Sequence, residues 1–291
     1  MRRMMFPAAA IAAAVVSSAA PARATVIATD NFESYAPGSQ LAGQSGGTGF
    51  NAPYVSDNPP AAVAGGGGLS YANGAVSIGG GSVALQLVPA TTGAVSNAGG
   101  AADNGTLART FSNQTDPIYF RFLLRTNNTG GNEFLQVGLS NQAAAEPNAS
   151  VGVAGATADV FNYFVRIPGG TGNQVVSSTL FAPNTTDLVV GKVSKTAGST
   201  NYNRIDLYVN PSTGTEPGTA TATRTGDSGQ SGFTTFNFRT ARFQPGDVYT
   251  IDGLVLGTTY ADVVPVPEPA SAALAAAGAG LLLLRRRRRA R

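Results

Sequence analysis

Apolar and polar residues alternate with a period of two through much of the chain between residues 25 and 264. Successive side chains of a strand point to opposite faces, so each alternating segment predicts a strand with one apolar face. Almost no segment repeats its apolar residues with the helical period of about 3.6 residues. Strands are predicted at residues 26–35, 83–87, 118–125, 134–139, 160–167, 175–181, 188–193, 204–210, 233–243 and 248–256.

Turn-forming dipeptides separate several of these segments and predict tight reversals of the chain. They are Asn73-Gly74, Asn104-Gly105, Asn210-Pro211 and Asp252-Gly253. Ten or more short strands joined by such turns predict an all-β fold. We expect a single domain over residues 25–264, built as an antiparallel two-sheet sandwich of the jelly-roll type.

The segment that precedes Thr25 has the three parts of a secretory signal peptide. Arg2 and Arg3 provide the basic start, and residues 8–20 form an apolar run that is rich in alanine. The small residues Ala22 and Ala24 then flank an arginine, as in the cleavage sites of such peptides. The sequence therefore predicts a signal peptide over residues 1–24, export, and cleavage between Ala24 and Thr25.

The last segment, residues 265–291, has three parts in a fixed order. It begins with the motif Val266, Pro267, Glu268 and Pro269, continues as an uncharged apolar run over residues 270–284, and ends with Arg285, Arg286, Arg287, Arg288 and Arg289 within a basic tail. The prolines have no amide proton and favour an extended, accessible motif. We expect the apolar run to form a single transmembrane helix and the arginines to stay on the cytoplasmic side.

This order of motif, apolar run and arginine block resembles the PEP-CTERM sorting signal of exported bacterial envelope proteins. The resemblance covers only the end of the chain from Val266 onward, and it rests on Pro267, Glu268 and Pro269 with the arginines that follow. It implies that an exosortase, a membrane-embedded cysteine protease, recognises the motif after the secretion machinery has exported the chain. The implied localisation is an inner-membrane precursor anchored by the C-terminal helix, followed by the cell surface or the extracellular matrix.

Charge and composition exclude several classes of function. Of 19 basic residues, three precede Thr25 and six lie in the tail, which leaves 10 against 15 acidic residues from Thr25 to Val266 and a net charge of −5. An acidic body predicts that nucleic acid is not a partner. The chain has no cysteine, histidine or tryptophan, which excludes disulfides, thiolate chemistry and histidine-dependent catalysis. We expect no cofactor except a structural Ca²⁺ ion.

The candidate calcium ligands are Asp30 and Glu33 near the start of the body and Asp252 near its end. Oxygen-only ligation suits Ca²⁺, and the first and last strands of such folds often lie side by side. The alternative is that these carboxylates are solvated turn residues, which the lack of an Asp-x-Asp-x-Asp loop favours.

The body also resembles the concanavalin A-like, or laminin G-like, jelly rolls of exported proteins. The resemblance rests on residues 30–44, 120–125, 207–211 and 251–262 and consists mostly of strand patterning. Glucanases of this superfamily carry alternating carboxylates on one strand, whereas Glu133, Glu146 and Glu216 each have no second acid two residues away. Tyr residues at positions 54, 71, 202 and 260 lie near predicted loops, where they either bind sugars or pack across strands.

From these features we expect an exosortase-processed surface or matrix protein that has no catalytic residues and associates with extracellular polysaccharide. One alternative is a structural or adhesive surface protein without a defined ligand. The other is a glycan-active hydrolase, which the loose resemblance of the fold alone supports.

The processing prediction concerns the two ends of the chain. We expect the mature protein to lack residues 1–24 and the arginine block, and the double variant Glu268→Ala/Pro269→Ala to keep that block, because the motif is what the protease recognises. Intact-mass spectrometry of both proteins from the native host tests this. Wild-type protein that retains Arg285 to Arg291 would contradict it.

Overall fold

The structure, a computed structural model, describes residues 25–57, 61–88, 105–115, 117–127, 133–142, 146–157, 160–168, 173–243 and 246–266. Their elements are β1 Val26–Asp30, β2 Val55–Asp57, β3 Ala61–Gly66, β4 Tyr71–Asn73, β5 Val76–Ile78, β6 Val83–Val88, β7 Gly105–Gln114, β8 Ile118–Thr126, β9 Phe134–Ser140, β10 Ala149–Thr157, β11 Val160–Arg166, β12 Gln174–Phe181, β13 Asp187–Ser194, β14 Arg204–Val209, β15 Ala222–Thr225, β16 Phe233–Ala241, β17 Tyr249–Gly257 and the helix α1 Tyr260–Val263.

Two antiparallel sheets contain nearly all of these strands. The first sheet has the order β15-β14-β13-β8-β17-β6-β3, and β1 adds to it by pairing with β17. The second sheet has seven strands in the order β12-β11-β10-β9-β16-β7-β2, while β4 and β5 form a separate hairpin. The predicted all-β, antiparallel architecture is confirmed.

The hydrophobic core lies between the two sheets. Phe120 of β8, in the first sheet, packs edge-on against Phe236 of β16, in the second sheet, with ring centroids 5.6 Å apart. Both rings are buried, as are Phe122, Val137 and Tyr163 in the same cluster. Full burial of a side chain of this size contributes about 1.5–3 kcal/mol, so the apolar face of each alternating strand holds the sandwich together.

The strand predictions hold where large apolar residues alternate with polar ones. Strand β10, which pairs with β9, is not among the predicted strands, because glycine, serine and alanine occupy its outward positions and weaken the alternation of apolar and polar residues. The predicted turn at Asp252-Gly253 is wrong. Both residues lie inside β17, where the register shifts and Gly253 has a φ of 58°, so the positive φ serves a bulge and not a chain reversal.

A second apolar cluster covers the outer face of the first sheet. The β4–β5 hairpin and α1 pack there, and Tyr260 of α1 meets Tyr119 and Tyr208 edge-on at centroid distances of 6.2 and 5.8 Å. The side chain of Thr259 caps the start of α1, and Asp262 completes the reciprocal capping box. The end of the body is therefore packed against the first sheet as far as Val264.

The first strand is fixed by a buried ion pair. The Asp30 carboxylate lies 3.1 Å from Nη1 of Arg109 in β7, and it accepts the hydroxyl protons of Tyr35 and Tyr54 at 2.6 and 3.1 Å. Its other oxygen accepts the amide proton of Phe32 at 2.9 Å, which holds that residue at a φ of 60°. The segment that begins at Asp30 is thus a turn at the end of β1 that this ion pair holds in place.

In the part of the chain that the structure describes, no helix is long and apolar enough to cross a bilayer. We correct the predicted localisation accordingly: the described residues give no support to an inner-membrane anchor formed by a C-terminal helix. Residues 1–24, the motif residues from Pro267 onward, the apolar run 270–284 and the arginine block lie outside the described residues. Within the motif, Val266 is described and is exposed.

The Asp30–Arg109 pair generates a stability prediction. We expect Asp30→Asn to lower the free energy of unfolding by about 3–5 kcal/mol, because it leaves the Arg109 guanidinium buried without its counter-charge. Denaturant unfolding measures the loss. The more exposed pair of Arg166 with Glu146 is the control, and Arg166→Gln should cost no more than about 1 kcal/mol. Equal effects of the two substitutions would contradict the prediction.

Candidate functional site

The outer face of the second sheet carries polar side chains that are buried although they point away from the core. They lie on β9, β10 and β16, where the inward positions are taken by the apolar residues of the core. The group consists of Gln136, Ser140, Ser150, Thr235 and Asn237. Buried polar groups on an outer face require partners, and the network they form marks this face as the candidate site.

Hydrogen bonds connect these residues across neighbouring strands. The amide nitrogen of Gln136 donates to Ser150 at 2.7 Å, and that of Asn237 donates to Ser140 at 2.6 Å. Arg239 donates from Nη1 to the amide oxygen of Gln136 at 3.2 Å. The network fixes the side-chain positions on three strands and places a guanidinium group above them.

The strand register sets these residues in rows across the sheet. One row runs from Arg166 through Ser150 and Gly138 to Asn237, and the next runs from Phe164 through Gly152 and Gln136 to Arg239. Each row has a glycine at its centre. A Cβ atom at Gly152 would collide with the Phe164 ring, and one at Gly138 would collide with Ser150. The glycines therefore let Ser150 and Phe164 pack over the middle of the face, between Arg166 and Arg239.

Glu146 joins the two arginines of this face. Its Oε1 atom lies 2.7 Å from Nη1 of Arg166 and 3.5 Å from Nη1 of Arg239, and its side chain is 43% exposed. Burial lowers the pKa of Arg239, while the Glu146 carboxylate opposes that effect. Arg239 also lies over the Phe134 ring, 5.0 Å from its centroid. A solvent-accessible carboxylate is thus held in place by two cations.

A cavity of about 180 Å³ opens beside Arg166 on the same face. Its walls include Glu133, Phe134, Phe164, Arg166, Gln174 and Arg242. Arg242 adopts a φ of 62°, a left-handed conformation that is uncommon for a residue with a long side chain. Arg166 lines this cavity and also pairs with Glu146, so the cavity and the ion pair together form the groove of this face.

Spacing along the sequence could not reveal this site. Glu133 precedes β9 and Glu146 precedes β10, and neither has a second acid two residues away. The antiparallel pairing of β9 with β10 and of β10 with β11 places Glu133 and Arg166 around one cavity, and Glu146 reaches Arg166 from the start of β10. The only signal in the sequence was a cluster of polar and small residues at alternate positions, which is also common on ordinary solvated strands.

The three predicted calcium ligands each have protein donors of their own. Asp30 is the partner of Arg109, and Glu33 accepts from the Val83 amide at 2.8 Å and from the Ser82 hydroxyl at 2.9 Å. Asp252 accepts from the amide of Leu69 at 2.8 Å. Among the described residues, no group of three or more Asp or Glu side chains is arranged to hold a metal ion.

The four tyrosines considered as sugar platforms are all buried. Tyr54, Tyr71, Tyr202 and Tyr260 are between 0 and 8% exposed, so none presents its ring to a ligand. Tyr202 packs against Phe233 at a centroid distance of 4.7 Å. Their role is packing, which was the alternative interpretation. Thr25, the predicted first residue after signal cleavage, is the first described residue and directly precedes β1.

Neither a protein-family model nor a curated protein matches the chain. Solved structures do match. A variant of the alginate lyase Aly36B in complex with alginate tetrasaccharide is 16% identical, with 79% of this chain and 96% of that one covered and a TM-score of 0.47. The CBM2 module of the evolved Dit of Lactobacillus casei BL23 phage J-1 is 13% identical over 81% and 96%, at 0.45. The PL-14 alginate lyase from Aplysia kurodai is 15% identical over 62% and 84%, at 0.40.

The expectation of a non-catalytic surface protein is corrected by this comparison, because polysaccharide-cleaving enzymes stand among the similar structures. At identities this low, such a likeness concerns the fold alone. The side chains of the candidate site must therefore carry any argument about activity.

Asp252 generates a prediction about pH. Burial raises its pKa from an ordinary 3.8 to about 6, against the hydrogen bonds from the Leu69 and Gly253 amides, and the charges of Glu33 and Asp30 raise it further. Arg121 is the cation that interacts with it across the sheet. The folded state binds this proton more tightly than the unfolded state, so stability falls as pH rises from about 4 to about 6.

We expect Asp252→Asn to remove this loss, so that the variant gains about 2 kcal/mol relative to wild type between pH 4 and pH 7, a value reduced for screening by solvent. Denaturant unfolding at the two pH values measures the gain, and Asp227→Asn at an exposed position controls for a general charge effect. A difference between variant and wild type that does not change with pH would refute this origin.

Proposed function

We propose that this protein is a glycan-active enzyme, a hydrolase that binds a polysaccharide in the groove on the outer face of its second sheet. The observation that carries the proposal is the position of Arg166, which pairs with Glu146 and lines the same cavity as Glu133. Most glycoside hydrolases use two carboxyl groups, placed about 5–10 Å apart on either side of the bond that they break.

The two glutamates differ in their surroundings, which suits a division of roles. Glu146 is 43% exposed and is held by two guanidinium groups, so it is positioned as the carboxylate that faces the sugar. Glu133 lies in the wall of the cavity beside the Phe134 ring and is 1% exposed. One group protonates the departing sugar oxygen, and the other attacks the sugar carbon or activates water.

The rest of the groove supplies binding. Gln136 and Asn237 are fully buried and hold the neighbouring side chains in place, and the Phe164 ring lines the cavity. Ring faces and fixed polar groups together are the usual components of a small-molecule site. Arg166, Arg239 and Arg242 outnumber the glutamates on this face, although the body as a whole is acidic. This excess favours sugars that bear carboxylate groups.

Two finer assignments belong to the same proposal. The sandwich is proposed to be a concanavalin A-like jelly roll, which is supported by the way the chain repeatedly crosses between the two sheets along its length. The segment from Val266 to Pro269 is proposed as an exosortase recognition motif, supported by its order before an apolar run and an arginine block. Val266 is exposed shortly after the buried Val264, where a protease can reach the chain.

The activity prediction uses Glu146→Gln, which keeps the shape of the side chain and removes its charge. We expect wild type to release new reducing ends from at least one polysaccharide in a panel of alginate, polygalacturonate, xylan and β-glucan. The variant should be slower by about a hundredfold or more, since general acid–base groups contribute 10²–10⁴ in rate. Glu133→Gln should lose activity to a similar extent.

Glu216→Gln is the matched control, because Glu216 lies in the loop between β14 and β15, against the outer face of the first sheet and away from the groove. It should keep wild-type activity, and circular dichroism should show that all variants are folded. Ultraviolet absorbance of unsaturated uronate products distinguishes a lyase from a hydrolase. Wild-type activity in Glu146→Gln, or no product from any polysaccharide of the panel, would rule the proposal out.

A further inference from the structure

A second groove lies on the opposite side of the molecule, on the outer face of the first sheet. Its volume is about 550 Å³, and its walls come from β13, β14 and the loop that contains Glu216. The basic residues Lys192, Lys195 and Arg204 line it together with Asp206 and Glu216. A volume of roughly 300–1,000 Å³ is typical of small-molecule sites.

The Glu216 carboxylate is saturated by protein donors. Lys192 donates from Nζ to Oε1 at 2.8 Å, Tyr208 donates to the same oxygen at 2.6 Å, and Tyr119 donates to Oε2 at 2.8 Å. Burial raises the pKa of Glu216, but these hydrogen bonds outweigh it and leave the pKa below its ordinary value. Burial also raises the pKa of Tyr119, to about 12, so the phenol keeps the proton that it donates.

Asp206 is saturated in a similar way. Nε and Nη2 of Arg204 each donate to it at 2.8 Å, and the Thr223 hydroxyl donates to it at 2.6 Å. Its side chain is only 3% exposed, whereas Arg204 is 43% exposed. The two carboxylates are therefore hydrogen-bonded within the wall of the groove. The side chains of Lys192 and Arg204, which bind them, are still 24% and 43% exposed.

We propose that this groove binds a short carboxylate-bearing oligosaccharide, at a site separate from the groove that contains Glu146. Its surface offers N–H donors from Lys192 and Arg204, while Lys195, also in the wall, donates to the Ser231 carbonyl at 2.8 Å, and the carboxylates of the groove are already bonded within the wall. Carboxylates bind such donors through charge-assisted hydrogen bonds, which are roughly twice as strong as neutral ones. Burial lowers the pKa of Lys192, but its hydrogen bond with Glu216 raises it above the ordinary value, so the cation persists at neutral pH.

The spacing of the cations favours an extended ligand over a single small anion. The register pairs Lys192 with Asp206 and Ser194 with Arg204, so Lys192 and Arg204 stand two residue steps apart along their strands. That separation is about 7 Å, at about 3.4 Å per residue. Each cation is also directed to its own carboxylate, Lys192 to Glu216 and Arg204 to Asp206, so we expect a compact anion such as phosphate to reach one of them and consecutive acidic sugar units to reach both.

The test measures binding of digalacturonate to the full chain by calorimetry, with cellobiose and inorganic phosphate as comparison ligands. We expect digalacturonate to bind, and Lys192→Gln and Arg204→Gln each to weaken it by roughly tenfold, the effect of one charge-assisted hydrogen bond. Lys192→Arg should restore most of the affinity because it keeps the charge. Both Gln variants should retain the polysaccharide-cleaving activity of wild type.

Arg239→Gln identifies which groove is measured, because Arg239 lies on the other sheet. Affinity that survives in Arg239→Gln and falls in Lys192→Gln assigns the ligand to the second groove. The proposal is overturned if digalacturonate does not bind, if phosphate binds as tightly, or if only Arg239→Gln weakens binding. Since these outcomes concern affinity at Lys192, they are independent of whether Glu146 supports cleavage.

Discussion

The buried ion pair between Asp30 and Arg109 is the constraint on which the arrangement of the two sheets depends. Asp30 ends β1 in the first sheet, and Arg109 lies in β7 of the second sheet. A charge in the interior is stable only when it is paired and hydrogen-bonded, so neither sheet can shift past the other at this edge without exposing the pair. Arg109 also stacks on the Phe50 ring at 4.4 Å, which ties the long loop after β1 to the same point.

Once the sheets are fixed, the small residues of the second sheet determine which side chains pack together on its outer face. Gly138 and Gly152 lie on neighbouring strands, and Phe164 occupies the space that a side chain at Gly152 would need. A larger residue at either glycine would displace Phe164 or Ser150 from the face between Arg166 and Arg239. The same feature that weakens the hydrophobic pattern of β10 thus sets where Phe164 and Arg166 stand beside the cavity.

The sequence was sufficient for the fold class, and it was not sufficient for the site. Strands such as β8 and β14 were predictable because bulky apolar residues mark one face at every second position. The site depends on which strands become neighbours, and the pairing of β9 with both β10 and β16 is non-local. Glu146 therefore meets Arg239 across 93 residues of sequence. The sequence instead indicated Asp30 and Asp252 as metal ligands, and in the structure their carboxylates accept hydrogen bonds from other residues of the protein.

The two grooves differ in how their carboxylates are used, and this difference separates the two proposed roles. Glu146 is held by the guanidinium groups of Arg166 and Arg239 and keeps its exposed surface toward the groove. Glu216 is bonded to two phenols and an ammonium group, which leaves its charge inside the wall. A carboxylate that exchanges a proton with a sugar or attacks it must be accessible to the ligand, as Glu146 is. A carboxylate that only orients cations can be bonded within the wall, as Glu216 is. Because the packed core lies between the sheets, substitutions in one groove should leave the other unchanged.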